Sequence, residues 1–438
     1  MKIRSIIILT LIGLSIACSK VKKSESDQAD DQFKITDTID QYMNALTDLQ
    51  QFNGVLLIED SSGNVFTKAY NIEDANVPSL AVGIKYQFDL RSIAKLFAKA
   101  SLIKLENEGK ISLDQKLADF FPKFPRGDEI TIDHLMHHQS GLGRELSHYE
   151  GFSADLSPEE VVSLIHKEKL EFEPGTESRY SNLGFQLLYK IIGDVSGGTY
   201  AYYLRKNFFD PIGMKYSGSH YLDPKGKLNK YADGHFRDKN DNIQKVEKDN
   251  SDMQQGHTYS TVEDMRKFLD YISENKIYNE LIEGESISHA GGTKGKRAWV
   301  YYNPLKDYKI IFLANYDDIP FSPLTRDLIN IMEGKQVEIP AEVNRKATEV
   351  ADSVLKKYVG TYDFVDAGHI VIQVKLEGGK LKAYQKGNFA GDLIPENDST
   401  FFWDPKSKES FIFTKDENGN QKALMDFQGV RWDGVIIE

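Results

Sequence analysis

Ser92 and Lys95 stand at a spacing that could support acyl transfer. A serine hydroxyl is a weak nucleophile, and it must lose its proton to a nearby base as it attacks a carbonyl carbon. Because residues i and i+3 of a helix share a face, both side chains can reach one cleft. The helix dipole and desolvation both favour a neutral lysine there. The pair therefore predicts a nucleophile with a basic partner, although Ser-x-x-Lys is frequent by chance and also suits a helix cap or a solvated face.

Tyr180 and Asn182 follow a Pro-Gly turn and precede a predicted helix. Side chains at such a helix start can project into a cleft. A tyrosine hydroxyl can relay a proton to a leaving group, and an asparagine amide can hold both Lys95 and a substrate carbonyl. The alternative interpretation is that Asn182 caps the helix and Tyr180 packs behind it.

His289 begins a third segment, His-Ala-Gly-Gly, just before a predicted strand pair. The consecutive glycines, Gly291 and Gly292, allow a strand to approach a ligand closely. A backbone N–H in such a strand can stabilise an oxyanion by about 3–4 kcal/mol. The alternative is a simple Gly-Gly turn.

The three ordered motifs, S-x-x-K, Y-x-N and H-x-G, resemble those of the penicillin-recognising, β-lactamase-related serine hydrolases. That family contains class C β-lactamases, D-alanyl-D-alanine carboxypeptidases, and related esterases and D-aminopeptidases. The resemblance covers about residues 33 to 320 and includes LENEGKISLDQKLADFFPKF, ITIDHLMHHQSGL and GHTYSTVEDMRKFL. It implies a β-lactamase/transpeptidase-like fold of the α/β (α+β) class, with an antiparallel sheet flanked by helices plus a helical region.

The resemblance also implies a role for each residue of the three motifs, without metal or organic cofactor. Whether the lysine or the tyrosine takes the proton stays open. The implied roles are an acylated nucleophile for Ser92, a general base or base partner for Lys95, a proton relay for Tyr180, a substrate and lysine ligand for Asn182, the third-motif position for His289, a substrate-binding strand at Gly291 and Gly292, and an oxyanion hole formed by the backbone N–H groups of Ser92 and Gly292.

The third motif departs from the family pattern, since β-lactamases and penicillin-binding proteins usually carry Lys-Thr-Gly there. A charged lysine suits a substrate carboxylate, whereas His289 is mostly neutral at pH 7. Ala290 also lacks a hydroxyl that could bond that carboxylate. We therefore expect a hydrolase of an ester, an amide or a D-amino-acid peptide rather than an efficient β-lactamase. The alternative is a catalytically inactive penicillin-binding-like lipoprotein that binds or senses cell-wall fragments.

The amino terminus predicts export. Lys2 and Arg4 precede an apolar run that ends at Ala17-Cys18, which is typical of a secretory signal peptide. The run is shorter than the about 20 residues of a spanning helix. Cys18 is the only cysteine, and it stands where a lipoprotein signal peptide would be cut and its cysteine acylated. We expect a periplasmic or cell-surface lipoprotein that contacts the membrane only through the lipid on Cys18; a plain secretory signal is the alternative.

Composition narrows the possible partners. The formal net charge is −12, which argues against a nucleic-acid partner because phosphate binding needs clustered positive charge. A small-molecule or short peptide substrate is expected instead.

His134, His137 and His138 have a spacing that could imitate a metal site, but no acid or second cluster completes one in the sequence, so a structural role is favoured.

The chain, at 438 residues, exceeds the roughly 250–300 residues that one hydrophobic core organises, so we expect two folded units. Apolar spacing predicts a hairpin over 52–70, helices over 93–108 and 183–195, and two adjacent strands, WVYYNP and YKIIFLAN. Alternating runs near the end resemble the lipocalin-like appendage of many relatives. The predicted organisation is a signal peptide (1–17), a flexible tether (18–32), a β-lactamase-like catalytic domain (33–335), a charged, helical connector (336–357) and a small C-terminal antiparallel β-barrel domain (358–438).

Overall fold

The computed structural model describes residues 25–147, 156–247, 255–367, 370–427 and 430–437. The predicted signal peptide and the predicted lipidation site at Cys18 lie outside these residues. No helix in the described ranges is both long enough and apolar enough to cross a membrane.

Helices and strands alternate up to residue 332, and strands dominate thereafter. The helices are α1 (Glu25–Asp48), α2 (Ala94–Asn107), α3 (Leu117–Phe120), α4 (Ile132–Met136), α5 (Pro158–Ile165), α6 (Asn182–Ser196), α7 (Tyr200–Leu204), α8 (Asp210–Ile212), α9 (Val262–Glu274), α10 (Phe321–Met332) and α11 (Asp352–Leu355). The strands are β1 (Gly54–Glu59), β2 (Val65–Tyr70), β3 (Phe88–Asp89), β4 (Gly218–Ser219), β5 (His235–Arg237), β6 (Ile243–Lys245), β7 (Thr258–Ser260), β8 (Ile287–Thr293), β9 (Lys296–Asn303), β10 (Tyr308–Ala314), β11 (Gly360–Phe364), β12 (Ile370–Glu377), β13 (Lys380–Gln385), β14 (Asn388–Pro395), β15 (Thr400–Phe402), β16 (Ser410–Lys415), β17 (Gln421–Phe427) and β18 (Val430–Ile436).

An antiparallel sheet forms the centre of the first domain, with the strand order β2-β1-β10-β9-β8 among the described residues. Two of its interior strands, β1 and β10, come from opposite ends of the domain and pair with Leu56 opposite Phe312. Both are apolar runs, and their side chains are buried on both faces of the sheet. β8 lies at the edge, where a strand presents half of its backbone groups outward.

Helices cover both faces of this sheet. Val55 and Leu57 of β1 belong to the apolar cluster that includes side chains of α2, α6 and α9. Leu56, between them, points to the other face and packs with side chains of α1 and α10. Alternate residues of a strand face opposite sides, so one apolar run serves both layers. The sheet flanked by helices confirms the predicted fold class.

The two helices predicted beside the first two motifs are present. α2 follows directly after Ser92-Ile93, and α6 begins at Asn182. The cap of α6 is Ser181, whose hydroxyl accepts a hydrogen bond from the Gly184 N–H at 3.0 Å. The interpretation of Asn182 as the capping residue is therefore wrong. Its side chain is left available for another partner.

The C-terminal strands β11 to β18 form a closed barrel, as the sequence predicts for a small β-barrel domain. Aromatic rings fill its interior, and the rings of Tyr358 and Phe413 stack with centroids 4.2 Å apart. Phe401 and Phe411 are buried there. The barrel is thus stabilised mainly by apolar packing.

Two linking segments differ from the sequence-based expectation. The sequence predicts a flexible tether through residue 32, but α1 begins at Glu25. It also predicts a helical connector, but only Asp352–Leu355 is an α-helix. Arg345 instead binds the Glu396 carboxylate through two nitrogens at 3.0 and 2.6 Å, and its backbone N–H donates to Pro405 O. These contacts fix Arg345 of the connector against the barrel domain.

Candidate active site

Ser92 lies in a single 3-10 turn, Arg91–Ile93, that leads into α2. Arg91, just before it, has a φ of +48°, a left-handed conformation that costs about 1–2 kcal/mol for a residue with a side chain. The backbone N–H of Leu90 donates to Thr258 O of β7 at 2.9 Å. The serine therefore sits on a tight turn that neighbouring strands hold in place.

Ser92, Lys95 and Tyr180 converge, although the tyrosine is 88 residues away in the chain. The Tyr180 hydroxyl donates to Ser92 Oγ at 2.7 Å, and Lys95 Nζ lies 3.4 Å from the same oxygen. The lysine nitrogen also lies 5.0 Å from the centre of the Tyr180 ring. A hydroxyl, an amine and a phenol thus meet within hydrogen-bonding reach.

Lys95 is only 6% exposed. Burial lowers its pKa, while the Tyr180 hydroxyl and the Glu145 carboxylate oppose that change. Desolvation disfavours the ammonium form, so a larger fraction of the side chain is neutral near pH 7 than for a lysine in water. A neutral amine beside a serine hydroxyl can accept its proton.

His138 fixes the position of Tyr180, a role that the histidine spacing in the sequence does not reveal. The two rings lie with centroids 4.6 Å apart. The Nδ1 atom of His138 accepts a hydrogen bond from the Ser181 N–H at 3.1 Å. Burial, together with the charges of Lys95 and Lys99, lowers the pKa of His138 to about 4, so Nδ1 stays a neutral acceptor at pH 7.

The other two histidines of that group point to separate partners. His134 completes a capping box with Thr131 at the start of α4, and His137 Nδ1 lies 2.9 Å from the Asp133 carboxylate. Within the part of the chain that the structure describes, no group of three or more potential ligands is arranged to hold a metal ion.

Asn182 belongs to the second motif, but its side-chain amide donates to Glu145 Oε1 at 2.5 Å. Its own backbone N–H donates to Arg144 O at 3.0 Å. The expected contact with Lys95 is not among its hydrogen bonds within the described residues. Glu145 and Arg144 therefore belong to the site, and the Arg144 guanidinium lies 5.0 Å from the centre of the Tyr180 ring. The sequence carries no local signal for either residue.

The His-Ala-Gly-Gly segment is a strand, β8, and not a turn. A Cβ atom placed on Gly291 would lie 2.3 Å from Leu90 O and 3.2 Å from Ser92 N. Only glycine permits so close an approach between the strand and the serine turn. Gly292 follows, opposite Arg297 of β9. The predicted strand therefore lies directly against the predicted nucleophile.

His289 lies on the same face of β8 as Gly291, because every second residue of a strand points to the same face. Its Nδ1 lies 2.9 Å from Ala290 O. Burial is the largest cause that lowers the pKa of His289 to about 4, and the charges of Lys95 and Lys99 add to it. Lys99, one turn after Lys95, forms an ion pair of 2.8 Å with Glu283. The imidazole is thus uncharged at neutral pH.

Comparisons with known proteins identify the family and the fold. Residues 39–301, more than half of the chain, match the β-lactamase family. A penicillin-binding protein of Bacillus subtilis is 24% identical over 442 residues, which cover 89% of this chain and 96% of that protein. Beta-lactamase-like protein 4 of Dictyostelium discoideum is 33% identical over 227 residues, which cover 47% of this chain but only 39% of the relative.

Solved structures show the same fold. The octameric penicillin-binding protein homologue from Pyrococcus abyssi superposes with a TM-score of 0.61 at 22% identity and covers 92% of this chain and 100% of its own. The D-amino acid amidase from Ochrobactrum anthropi SV3 gives a TM-score of 0.58 at 17% identity, over 68% of this chain and 99% of its own. The predicted family is confirmed: the chain belongs to the β-lactamase family.

Proposed function

We propose that this protein is a serine hydrolase that works through an acyl-enzyme on Ser92. The observation that carries the proposal is the contact of Ser92 Oγ with both the Tyr180 hydroxyl, at 2.7 Å, and Lys95 Nζ, at 3.4 Å. Burial lowers the pKa of Lys95, which favours its role as a base, and Ser92 in its tight turn is only partly buried. Structural packing alone does not require an amine and a phenol on one serine oxygen.

In the proposed reaction, the Ser92 proton passes to the Lys95–Tyr180 pair as Oγ forms a bond to the substrate carbonyl carbon. The negative charge on the carbonyl oxygen is stabilised by the backbone N–H groups of Ser92 and Gly292. The bond to the leaving group then breaks, and the departing alcohol or amine takes the proton back from the pair. Water next attacks the acyl carbon and loses a proton to the same pair. The bond between Ser92 Oγ and the acyl carbon then breaks, Oγ takes the proton back from the pair, and the acid is released.

The substrates proposed are an ester, an amide or a D-amino-acid peptide. His289, with its pKa lowered to about 4, supplies no positive charge at neutral pH on the strand face beside the serine. Lys99, one turn from Lys95, already pairs with Glu283. Because a carboxylate that leaves water needs a cation or several donors, an uncharged His289 favours substrates without a carboxylate beside this residue.

Labelling with a fluorophosphonate probe tests the nucleophile. The wild type should gain one adduct, located on Ser92 by peptide mass spectrometry, and Ser92→Ala should gain none. Ser101→Ala is the matched control, since Ser101 lies on the same helix with its hydroxyl bonded to Phe97 O. It should label like the wild type. A folded wild type that stays unlabelled by several probes would contradict the proposal.

A substrate panel tests the substrate class and separates the catalyst from the inactive binder. Short-chain esters, D-amino-acid amides and peptides, and β-lactams should be compared on wild type and Ser92→Ala. We expect esters or amides to have a higher kcat/KM than any β-lactam. Saturable binding of a penicillin-type ligand with no adduct and no turnover would favour the binding lipoprotein instead.

We also propose that the protein is exported and anchored through a lipid on Cys18, on the basis of the charged and apolar regions before that residue. Cells grown with an alkyne-tagged fatty acid should yield tagged wild type in the membrane fraction. Cys18→Ser should lose the tag and leave the membrane fraction. An untagged wild type would show that the signal is a plain secretory one.

A further inference from the structure

Asp89 lies at the end of β3, three residues before Ser92, and its side chain is fully buried. One carboxylate oxygen accepts a hydrogen bond from the backbone N–H of Arg91 at 3.1 Å. The other lies 3.1 Å from Arg91 Nε. The carboxylate therefore holds both the backbone and the side chain of the residue whose left-handed conformation shapes the serine turn.

The same carboxylate also contacts β9, on the other side of the site from the serine turn. Lys296, the first residue of β9, is 8% exposed, and its Nζ lies 3.3 Å from Asp89 Oδ2. That nitrogen also donates to the Tyr231 hydroxyl at 3.1 Å. Lys296 pairs with Thr293 across the hairpin, and the next residue of β9 pairs with Gly292. One buried carboxylate thus contacts both the serine turn and the β8–β9 hairpin, whose first strand contains Gly291 and Gly292.

The distance between the serine turn and the β8–β9 hairpin matters for stabilisation of the oxyanion. An oxyanion hole needs both donors about 2.7–3.1 Å from the developing oxyanion, and the two proposed donors come from the turn and from the strand. The serine turn and the β8–β9 hairpin already touch at Gly291, where an added Cβ would collide with Leu90 O. A shift of the turn relative to the hairpin would therefore move one donor away from the other.

Two neighbouring positive charges keep the Asp89 carboxylate ionised. Burial disfavours the carboxylate form, but the charges of Arg91 and Lys296 outweigh it and hold the pKa of Asp89 well below its usual range. Asp89 is thus ionised at neutral pH. Buried ion pairs add little net stability compared with apolar packing, yet they can fix a geometry.

We propose that Asp89 is a positioning residue for the oxyanion hole, which through Arg91 and Lys296 fixes the backbone N–H groups of Ser92 and Gly292 relative to each other. The inference rests on the proposed function, because it assumes that Ser92 is acylated. Asp89 touches no reacting atom and acts through the turn and the hairpin.

The test uses the full chain and the variants Lys296→Met and Asp89→Asn. Lys296→Met removes the ionic contact between Asp89 and the β8–β9 hairpin and leaves the Arg91 guanidinium beside Asp89. Lys309→Met is the matched control, because Lys309 is a buried lysine of the same sheet that pairs with Glu59 at 2.6 Å and Asp270 at 2.8 Å. For each variant, the measurements are the phosphonylation rate of Ser92, kcat and KM for the best ester, and the urea midpoint of unfolding.

We expect Lys296→Met to lower kcat and the phosphonylation rate by about 10- to 100-fold, with KM changed by less than about twofold. Lys309→Met should lower the unfolding midpoint and leave kcat within about twofold. Because Asp89 and Lys296 act through one contact, the double variant should lose no more kcat than the more impaired single variant.

Three results would overturn the inference. The first is an equal loss of kcat in Lys296→Met and Lys309→Met, which would mean that only stability had changed. The second is a multiplied loss in the double variant, since that would show two independent effects. The third is an unlabelled wild type, which would remove the proposed function as well. If Lys296→Met does not fold, an unchanged kcat in folded Asp89→Asn would overturn the inference in its place.

Discussion

Replacing Gly291 with alanine tests how strictly the site depends on the approach of β8 to the serine turn. The new Cβ would lie 2.3 Å from Leu90 O and 3.2 Å from Ser92 N. An ordinary C···O contact is about 3.3 Å, so the strand and the turn must separate by about 1 Å. Both colliding groups are backbone, so no side-chain rotation can relieve the contact.

A misplacement of about 1 Å in an active site can cost about 100-fold in rate, which corresponds to about 2.7 kcal/mol of activation free energy. We therefore expect Gly291→Ala to slow phosphonylation of Ser92 by about 100-fold. Overpacking should also destabilise the fold by about 1–3 kcal/mol. Stopped-flow or gel-based labelling measures the first effect, and urea unfolding measures the second.

Gly54→Ala is the matched control. Its new Cβ would lie 2.5 Å from Leu313 O, in the centre of the same sheet and away from the serine turn. This variant should lose comparable stability and, where folded, label at close to the wild-type rate. If Gly291→Ala labels within about threefold of the wild type, the strand does not set the geometry of the nucleophile and the reasoning is refuted.

Three further predictions concern charge and capping. Glu145→Gln removes an interaction that raises the pKa of Lys95, so the acid limb of the kcat/KM profile should move to lower pH; an unmoved or upward-shifted limb would contradict this. His289→Lys adds a cation beside the serine, and kcat/KM for a carboxylate-bearing ester relative to its neutral analogue should rise about tenfold. Ser181→Ala removes the cap of α6 and a bond to Gly143 O, and chemical denaturation should show a loss of about 1–2 kcal/mol.

Local patterns in the sequence are enough to predict the elements that carry the site. The hairpin over 52–70 and the helix after Ser92 each have a characteristic apolar spacing and a nearby turn or glycine. The glycines after His289 allow a strand there but leave a simple turn open. The convergence of Ser92, Lys95 and Tyr180 follows from the resemblance of the motifs, because spacing alone does not bring residues 88 positions apart together.

The contacts that adjust the site could not be predicted in the same way. Glu145 binds Asn182 from 37 residues away, and Lys296 reaches Asp89 across 207 residues. Such pairs depend on how the strands and loops pack, and no periodicity records them. His138 illustrates the same limit, since its spacing with two other histidines could imitate a metal site while its ring supports Tyr180.

The acyl-enzyme itself is the most direct test of the central claim. Wild-type protein should be mixed with an activated ester, quenched within milliseconds to seconds, and measured by intact and peptide mass spectrometry. We expect a mass increase of one acyl group on Ser92 that disappears as the acid product is released. Turnover without an acyl group on Ser92, or turnover that persists in Ser92→Ala, would contradict the account.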